Sequence, residues 1–340
     1  MSNHDQLIST ARAMVAPGKG ILAADESDGT IKKRFDSISI SSTEDNRRAY
    51  RDMLFTTPGL GDHISGVILF DETIRQSTSD GTPFAEALAK SRMIPGIKVD
   101  TGSKALTNFQ GEEVTEGLDG LRGRLEEYFS LGARFAKWRA VINIGDGIPT
   151  SDAIKANAHA LARYAALCQE AGIVPMVEPE VMMEGDHSIE RCYDATVETL
   201  NQLYDEMYSM RCLLEGSILK TNMVLPGKKA AQQATPAQIA EYTLRAFRNT
   251  VPAAVPGIVF LSGGQDDVPA TVNLNEMNTL GPHAWELSFS YGRALQAPAL
   301  KAWKGEASNV EAGQKELLHR ARCNGAARDG RYSDALEGAA

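Results

Sequence analysis

Eight short apolar runs, each set apart from the next by a longer stretch patterned for helix, fix most of what this chain can become. They cover residues 21–25, 67–71, 96–100, 133–141, 173–180, 217–224, 258–262 and 285–289. Runs of this length and continuity suit strands buried on both faces, as in a parallel sheet. The intervening segments carry helix signals. Ser151 stands as a cap before a pattern through Ile154, Leu161 and Leu167 that Gly172 stops, and Thr235-Pro236 is a cap followed by proline at the first helical position. Apolar residues also recur at helical spacing from Ile189 to Met210. Eight strands alternating with helices predict an α/β fold, a (β/α)8 TIM barrel in a single domain spanning residues 1–340. A doubly wound sheet is the alternative, but no strand leads into G-x-G-x-x-G. Residues 46–54 read as a helix before the second strand and 308–323 as an extra helix after the eighth. Residues 324–340, rich in Gly, Ala and Asp, read as a mobile tail.

The net charge of −9 argues against a general nucleic-acid binder, so an anionic ligand needs a local basic site. Four cysteines (Cys168, Cys192, Cys212, Cys323) lie far apart without a C-x-x-C pair, which fits free thiols in a reducing compartment. The six histidines are scattered, and their spacing supports no metal site. Residues 1–10 are polar and lack an apolar signal core, and no stretch is long enough to span a membrane, so the expected location is cytoplasmic.

In a barrel, active-site groups stand at the carboxyl ends of the strands. Those ends hold Asp25 and Ser27 at the first strand, Lys98 in the third, Lys137 and Arg139 on one face of the fourth, and Glu178 with Glu180 on one face of the fifth. The sixth run, Glu215 to Val224, carries one lysine, Lys220, among apolar neighbours. Alternation would put Ile218, Lys220 and Asn222 on a shared face. Ser262-Gly263-Gly264 ends the seventh strand, and Ser290-Tyr291-Gly292-Arg293 follows the eighth. Singly, each has an ordinary reading: a helix cap, a solvated strand face, a turn, a lysine snorkelling to water. Together they place many ionisable groups inside apolar strands, which is costly unless the groups pair or act.

Residue type suggests roles. Desolvation and the nearby positive charge of Lys137 and Arg139 would hold Lys220 neutral, as a carbonyl nucleophile. Glu178 and Glu180 would repel each other and raise the pKa of one, giving a proton shuttle, with Asp25 a separate base. Ser262, Gly263 and Gly264 offer a phosphate cradle, with Arg293 as its cation. The set suggests Schiff-base chemistry on a sugar phosphate.

The runs 16–27, 66–70, 96–100, 135–139, 173–180, 219–224, 260–265 and 289–296, in this order, resemble class I fructose-bisphosphate aldolase over about residues 16–303. Among them are Gly18-Lys19-Gly20-Ile21-Leu22-Ala23-Ala24-Asp25-Glu26-Ser27 and Leu219-Lys220-Thr221-Asn222-Met223. The resemblance implies a metal-independent aldolase of glycolysis and gluconeogenesis, on a (β/α)8 barrel and usually a homotetramer, that needs no cofactor beyond the substrate's imine with lysine. It implies Lys220 as the imine-forming residue, Glu178 as the residue that moves protons in carbinolamine formation and dehydration, Asp25 as the base toward the C4 hydroxyl, and Lys137 as an electrostatic aid. It implies Ser262, Gly263, Gly264, Gly292 and Arg293 around the C1-phosphate, and Ser27, Thr30, Arg34 and Lys98, with Arg47 nearby, at the C6-phosphate end. Arg139, Glu180, Ser290 and Tyr291 complete the expected site. Thr30 stands where many relatives have serine. The family's tails commonly end in a tyrosine, whereas the last tyrosine here is Tyr332, so the preference between bisphosphate and monophosphate stays open. A lysine-imine transferase with one phosphate site, a metal-dependent aldolase, and an idle barrel kept as a binding scaffold are the competing readings.

Overall fold

The computed structural model describes residues 2–338. Eight parallel strands close into a barrel: β1 (Gly20–Ala24), β2 (Ile64–Leu69), β3 (Ile94–Lys98), β4 (Phe135–Ile142), β5 (Val174–Val181), β6 (Ile218–Thr221), β7 (Gly257–Phe260) and β8 (Glu286–Tyr291). Each pairs with the next in sequence and β8 pairs with β1, through Ile21 opposite Ser290. All eight sequence-predicted strands are present. The largest trimming is at β6, expected to run to residue 224 but ending at Thr221. The reason is Asn222: its carboxamide accepts from Val181 N at 3.0 Å and donates to Thr196 Oγ1 at 3.2 Å, which pulls the chain out of the ladder and toward the helix Ile189–Ser209. Asn222 therefore does not share the face of Lys220.

The helices wrap the barrel as expected, with corrected ends. Thr150, not Ser151, caps the helix Ser151–Glu170 by accepting from Ala153 N, and Gly172 past its end has φ +73°, in the left-handed region. Thr235 caps Pro236–Thr250 in a full capping box with Gln238. The final helix runs Val310–Arg328, so the segment read as a mobile tail from residue 324 begins inside it. Asn324 is fully buried, and Tyr332 and Glu337 hydrogen-bond to one another while Glu337 pairs with Arg320 at 2.5 Å. Residues 339–340 of that predicted tail lie outside the described residues. No helix among the described residues is long and apolar enough to cross a membrane.

The inward-facing rows of the strands change character along their length, and this positions the site. Near the amino ends they are apolar: Ile21 and Ala23 in β1, Phe135 in β4, Val174 and Met176 in β5, Ile218 in β6. Farther along the same rows come Lys137 and Arg139, Glu178 and Glu180, and Lys220. Leu7, Ala11, Met14 and Val15, from and just after the N-terminal helix Asn3–Met14, pack into the apolar cluster and close the barrel's amino end. The Phe135 ring fills the space left by Gly96 in β3 and Gly66 in β2. A Cβ on Gly96 would overlap the ring, and one on Gly66 would stand 3.0 Å from it. Gly96→Ala should therefore cost about 1–3 kcal/mol by overpacking. Urea unfolding would read this as a lower midpoint at unchanged slope.

Candidate active site

A cavity of about 1030 Å³ opens at the carboxyl ends of the strands. Its floor is a chain of ion pairs that joins three buried groups to the half-buried Asp25. Lys220 Nζ lies 3.1 Å from Glu178 Oε1; Glu178 Oε2 lies 3.3 Å from Lys137 Nζ; Lys137 Nζ lies 2.7 Å from Asp25 Oδ2. Lys137, Glu178 and Lys220 are each no more than 4% exposed. Their placement follows from strand parity: positions 137, 178 and 220 extend inward rows, and Asp25 is the first residue past β1.

Burial alone would push the Asp25 carboxyl up. The ammonium groups of Lys137, Lys220 and Lys98 outweigh it and hold Asp25 well below the usual carboxylate range. Burial works against the Lys137 ammonium, but Asp25, Glu178 and Asp100 together raise its pKa, so it stays protonated throughout the neutral range. Glu178 Oε2 is buried and makes no aligned hydrogen bond, its contact being the Lys137 ammonium at 3.3 Å.

The sequence reading placed both Lys137 and Arg139 beside Lys220. The structure brings Lys137 there, while the Arg139 guanidinium pairs with Glu180. Glu178 and Glu180 were expected to act on each other, but each faces its own cation instead.

Lys98 caps β3 and donates to Asp100 Oδ1 at 2.5 Å, and Asp100 Oδ2 in turn accepts from Arg139 N at 3.2 Å. On the β1 side the cavity is lined by Ser27, Thr30 and Arg34. Ser262, Gly263 and Gly264 follow β7, and Ser290, Gly292 and Arg293 stand at the end of β8, which adjoins β1 in the barrel. Gly263 and Gly264 have φ of +56° and +89°, so the turn needs glycine to present its backbone. The Ser290 hydroxyl is buried without a partner, and Arg293 donates to the carbonyls of Gly264 at 2.7 Å and Gln265 at 3.1 Å.

Two expected residues are not brought to the cavity. Tyr291 points to the outer layer of the barrel, where its hydroxyl donates to Ala270 O at 3.0 Å, because its neighbour Ser290 takes the inward position. Arg47 is held by Glu72, with Nε–Oε2 at 2.7 Å, and by the Ser42 carbonyl at 2.7 Å, and it does not line the cavity.

Glu26 was among the residues missed. It is 8% exposed and binds Arg34 through one oxygen and Arg51 through the other at 2.6 Å, while Gln296 donates to it at 2.9 Å. Burial pushes this carboxyl up, but Arg34 and Arg51 outweigh it and keep it ionised. Glu26 thus fixes the rear of Arg34. Its position next to Asp25 in the sequence gave no sign of partners drawn from two separate helices.

Away from the mouth, His319, Cys323 and Glu337 bring ligand-capable atoms within 4.8 Å of one another. Glu337 is already engaged there by Arg320 and Tyr332.

The model of the family described as glycolytic class-I fructose-bisphosphate aldolase matches residues 6–340. This chain belongs to the class I fructose-bisphosphate aldolase family. It is 60% identical over 329 residues to a probable class 1 fructose-bisphosphate aldolase of Xanthomonas campestris, covering 96% of this chain and 98% of that one. It is 51% identical over 336 residues to the cytoplasmic isozyme from Spinacia oleracea, covering 98% of this chain and 94% of that one. Among solved structures, the Plasmodium falciparum fructose-bisphosphate aldolase, crystallised with TRAP and a small-molecule inhibitor, superposes with a TM-score of 0.96 at 48% identity, covering 97% of this chain and 96% of that chain. As a member of the aldolase family this chain is a carbon–carbon lyase of glycolysis that acts on sugar phosphates, in a family whose chemistry is metal-independent. The (β/α)8 barrel expected from the alternation of strands and helices is the aldolase barrel.

Proposed function

We propose that the cavity at the barrel mouth cleaves fructose 1,6-bisphosphate reversibly into dihydroxyacetone phosphate and glyceraldehyde 3-phosphate, with Lys220 as the imine-forming nucleophile. The observation that carries this reading is the chain Asp25–Lys137–Glu178–Lys220, in which one carboxylate lies within ion-pair range of both ammonium groups. A lysine must lose a proton before it can attack a carbonyl. Glu178 stands 3.1 Å away to receive it, and Lys137, held protonated, balances the charge while it does. Attack on the ketose C2 gives a carbinolamine. Glu178 returns a proton to the departing hydroxyl, which leaves as water, and a protonated imine remains. Asp25, kept ionised by its lysine neighbours, takes the C4 hydroxyl proton. The C3–C4 bond breaks, its electron pair enters the imine to give the enamine, and glyceraldehyde 3-phosphate departs. Protonation at C3 and hydrolysis release dihydroxyacetone phosphate and restore Lys220.

In this reading Ser262, Gly263, Gly264, Ser290, Gly292 and Arg293 receive the C1-phosphate through backbone N–H groups, hydroxyls and one guanidinium. Ser27, Thr30, Arg34 and Lys98 serve the C6-phosphate end. Arg139 and Glu180, paired on the wall between them, shape the sugar channel. The enzyme requires no metal or cofactor, assembles as a homotetramer and works in the cytoplasm.

Mass measurement after borohydride reduction with dihydroxyacetone phosphate, in EDTA, tests the assignment. An adduct on Lys220 is the expected result, and a folded protein without one overturns it. Glu178→Gln keeps the shape but cannot move a proton. It should slow imine formation by about 10²–10⁴-fold, read as the rate of adduct trapping.

A further inference from the structure

Lys228 lies outside every motif used so far, on the loop after β6. Three backbone hydrogen bonds lash that loop to the one after β5: Gly227 N to His187 O, Lys228 N to Met183 O, and Lys229 N to Gly185 O, each 2.8 Å. Gly227 permits so close an approach, since a Cβ there would stand 2.7 Å from the Gly185 carbonyl carbon. The anchored backbone sends the Lys228 side chain across the Ser262–Gly264 turn. Its Cε lies 2.7 Å from where a Cβ on Gly264 would be, and Nζ is nearer still. Lys228 and Glu184 both line the cavity and pair at 2.7 Å, with side chains 39% and 58% exposed.

We propose that Lys228 is a ligand of the C1-phosphate, held in readiness by Glu184 and handed to the substrate when it arrives. This inference rests on the reading of the Ser262–Gly264 turn as the C1-phosphate cradle. A phosphate ester brings close to two negative charges. The turn answers with neutral donors, and one terminal nitrogen of Arg293 is already given to the carbonyls of Gly264 and Gln265. An ammonium lying on the turn supplies the missing positive charge. The exchange of partners is cheap. A solvent-exposed ion pair such as Lys228–Glu184 is worth less than about 1 kcal/mol. A phosphate already fixed by the turn gains a charge-assisted hydrogen bond without a second cost of immobilisation. Glu184, more than half exposed, returns to water.

The test is the affinity of the full-length enzyme for inorganic phosphate, and its KM for fructose 1,6-bisphosphate, in Lys228→Ala, Lys228→Arg and Glu184→Gln. Lys228→Ala should weaken phosphate binding about tenfold, the loss of one hydrogen bond to a charged group, and raise KM by more than it lowers kcat. Lys228→Arg should restore most of both. Glu184→Gln, which frees the ammonium, should tighten phosphate binding, a direction that general damage to the loop would not produce. Phosphate affinity and KM within twofold of wild type in Lys228→Ala would overturn the proposal. If wild-type enzyme formed no imine yet bound phosphate through Lys228, the catalytic reading would fail while this one stood.

Discussion

Lys220→Met is expected to abolish cleavage, by on the order of 10⁵-fold or more, while the barrel stays folded. The two halves of this expectation come from different features. Turnover is lost because no other amine is placed to substitute. Lys137, the nearest candidate, is committed to Asp25 at 2.7 Å and held protonated, so it cannot act as a nucleophile at neutral pH. The fold survives because methionine fills a similar volume above Ile218, and Glu178 keeps Lys137 at 3.3 Å as its counter-charge. Steady-state turnover, thermal unfolding and borohydride trapping together check it. A variant that still cleaved fructose 1,6-bisphosphate at more than a trace of the wild-type rate would remove Lys220 from its role.

Lys137→Met is expected to damage stability more than any of the other substitutions considered. It leaves Asp25 and Glu178 in the barrel with Lys220 as their main remaining cation. Breaking a buried pair from one side costs about 3–5 kcal/mol, because the abandoned charge stays desolvated. The double variant Lys137→Met/Asp25→Asn should recover part of that loss, and chemical denaturation of the four-member cycle measures the coupling.

The pH dependence has a definite sign. Asp25 has a depressed pKa in the native state, so its contribution is fully present above the unfolded carboxylate value near 4. It is lost as pH falls toward the native value. Lys137 is raised, so its contribution is present below about pH 10 and fades only as pH climbs toward its native value. Wild type should therefore hold its stability from neutrality down to about pH 4. In the Lys137→Met variant, with the chief cation beside Asp25 gone, the native Asp25 pKa should rise toward its unfolded value, so the loss of stability below about pH 4 should shrink, read as urea midpoints against pH.

The barrel was legible because its strands are buried on both faces and read as short uninterrupted apolar runs. Lys220, Glu178 and Asp25 were legible for the complementary reason: a charge inside such a run is conspicuous. The errors have physical sources. Tyr291 was grouped with Ser290 by adjacency, although the alternation of a strand sends neighbours to opposite faces, and applying that rule to positions 288–291 would have placed it correctly. Arg47 was misjudged because a guanidinium is equally suited to a phosphate and to a carboxylate. Its actual partner, Glu72, is supplied by the short helix after β2, which no local pattern announced. Glu26 and Lys228 were invisible because their meaning comes from long-range packing, one between two helices and the other between two lashed loops.

The apolar plug at the amino end of the barrel has a consequence for traffic. With its floor sealed by Leu7, Ala11 and Met14, the barrel has its doorway at the other end, where substrate enters and both products depart. In the mechanism proposed for Lys220, one product is untethered after the bond breaks and the other is still bonded to that lysine. Release becomes a queue: the aldehyde must clear the doorway before the ketone, and in the synthetic direction the ketone must be seated first.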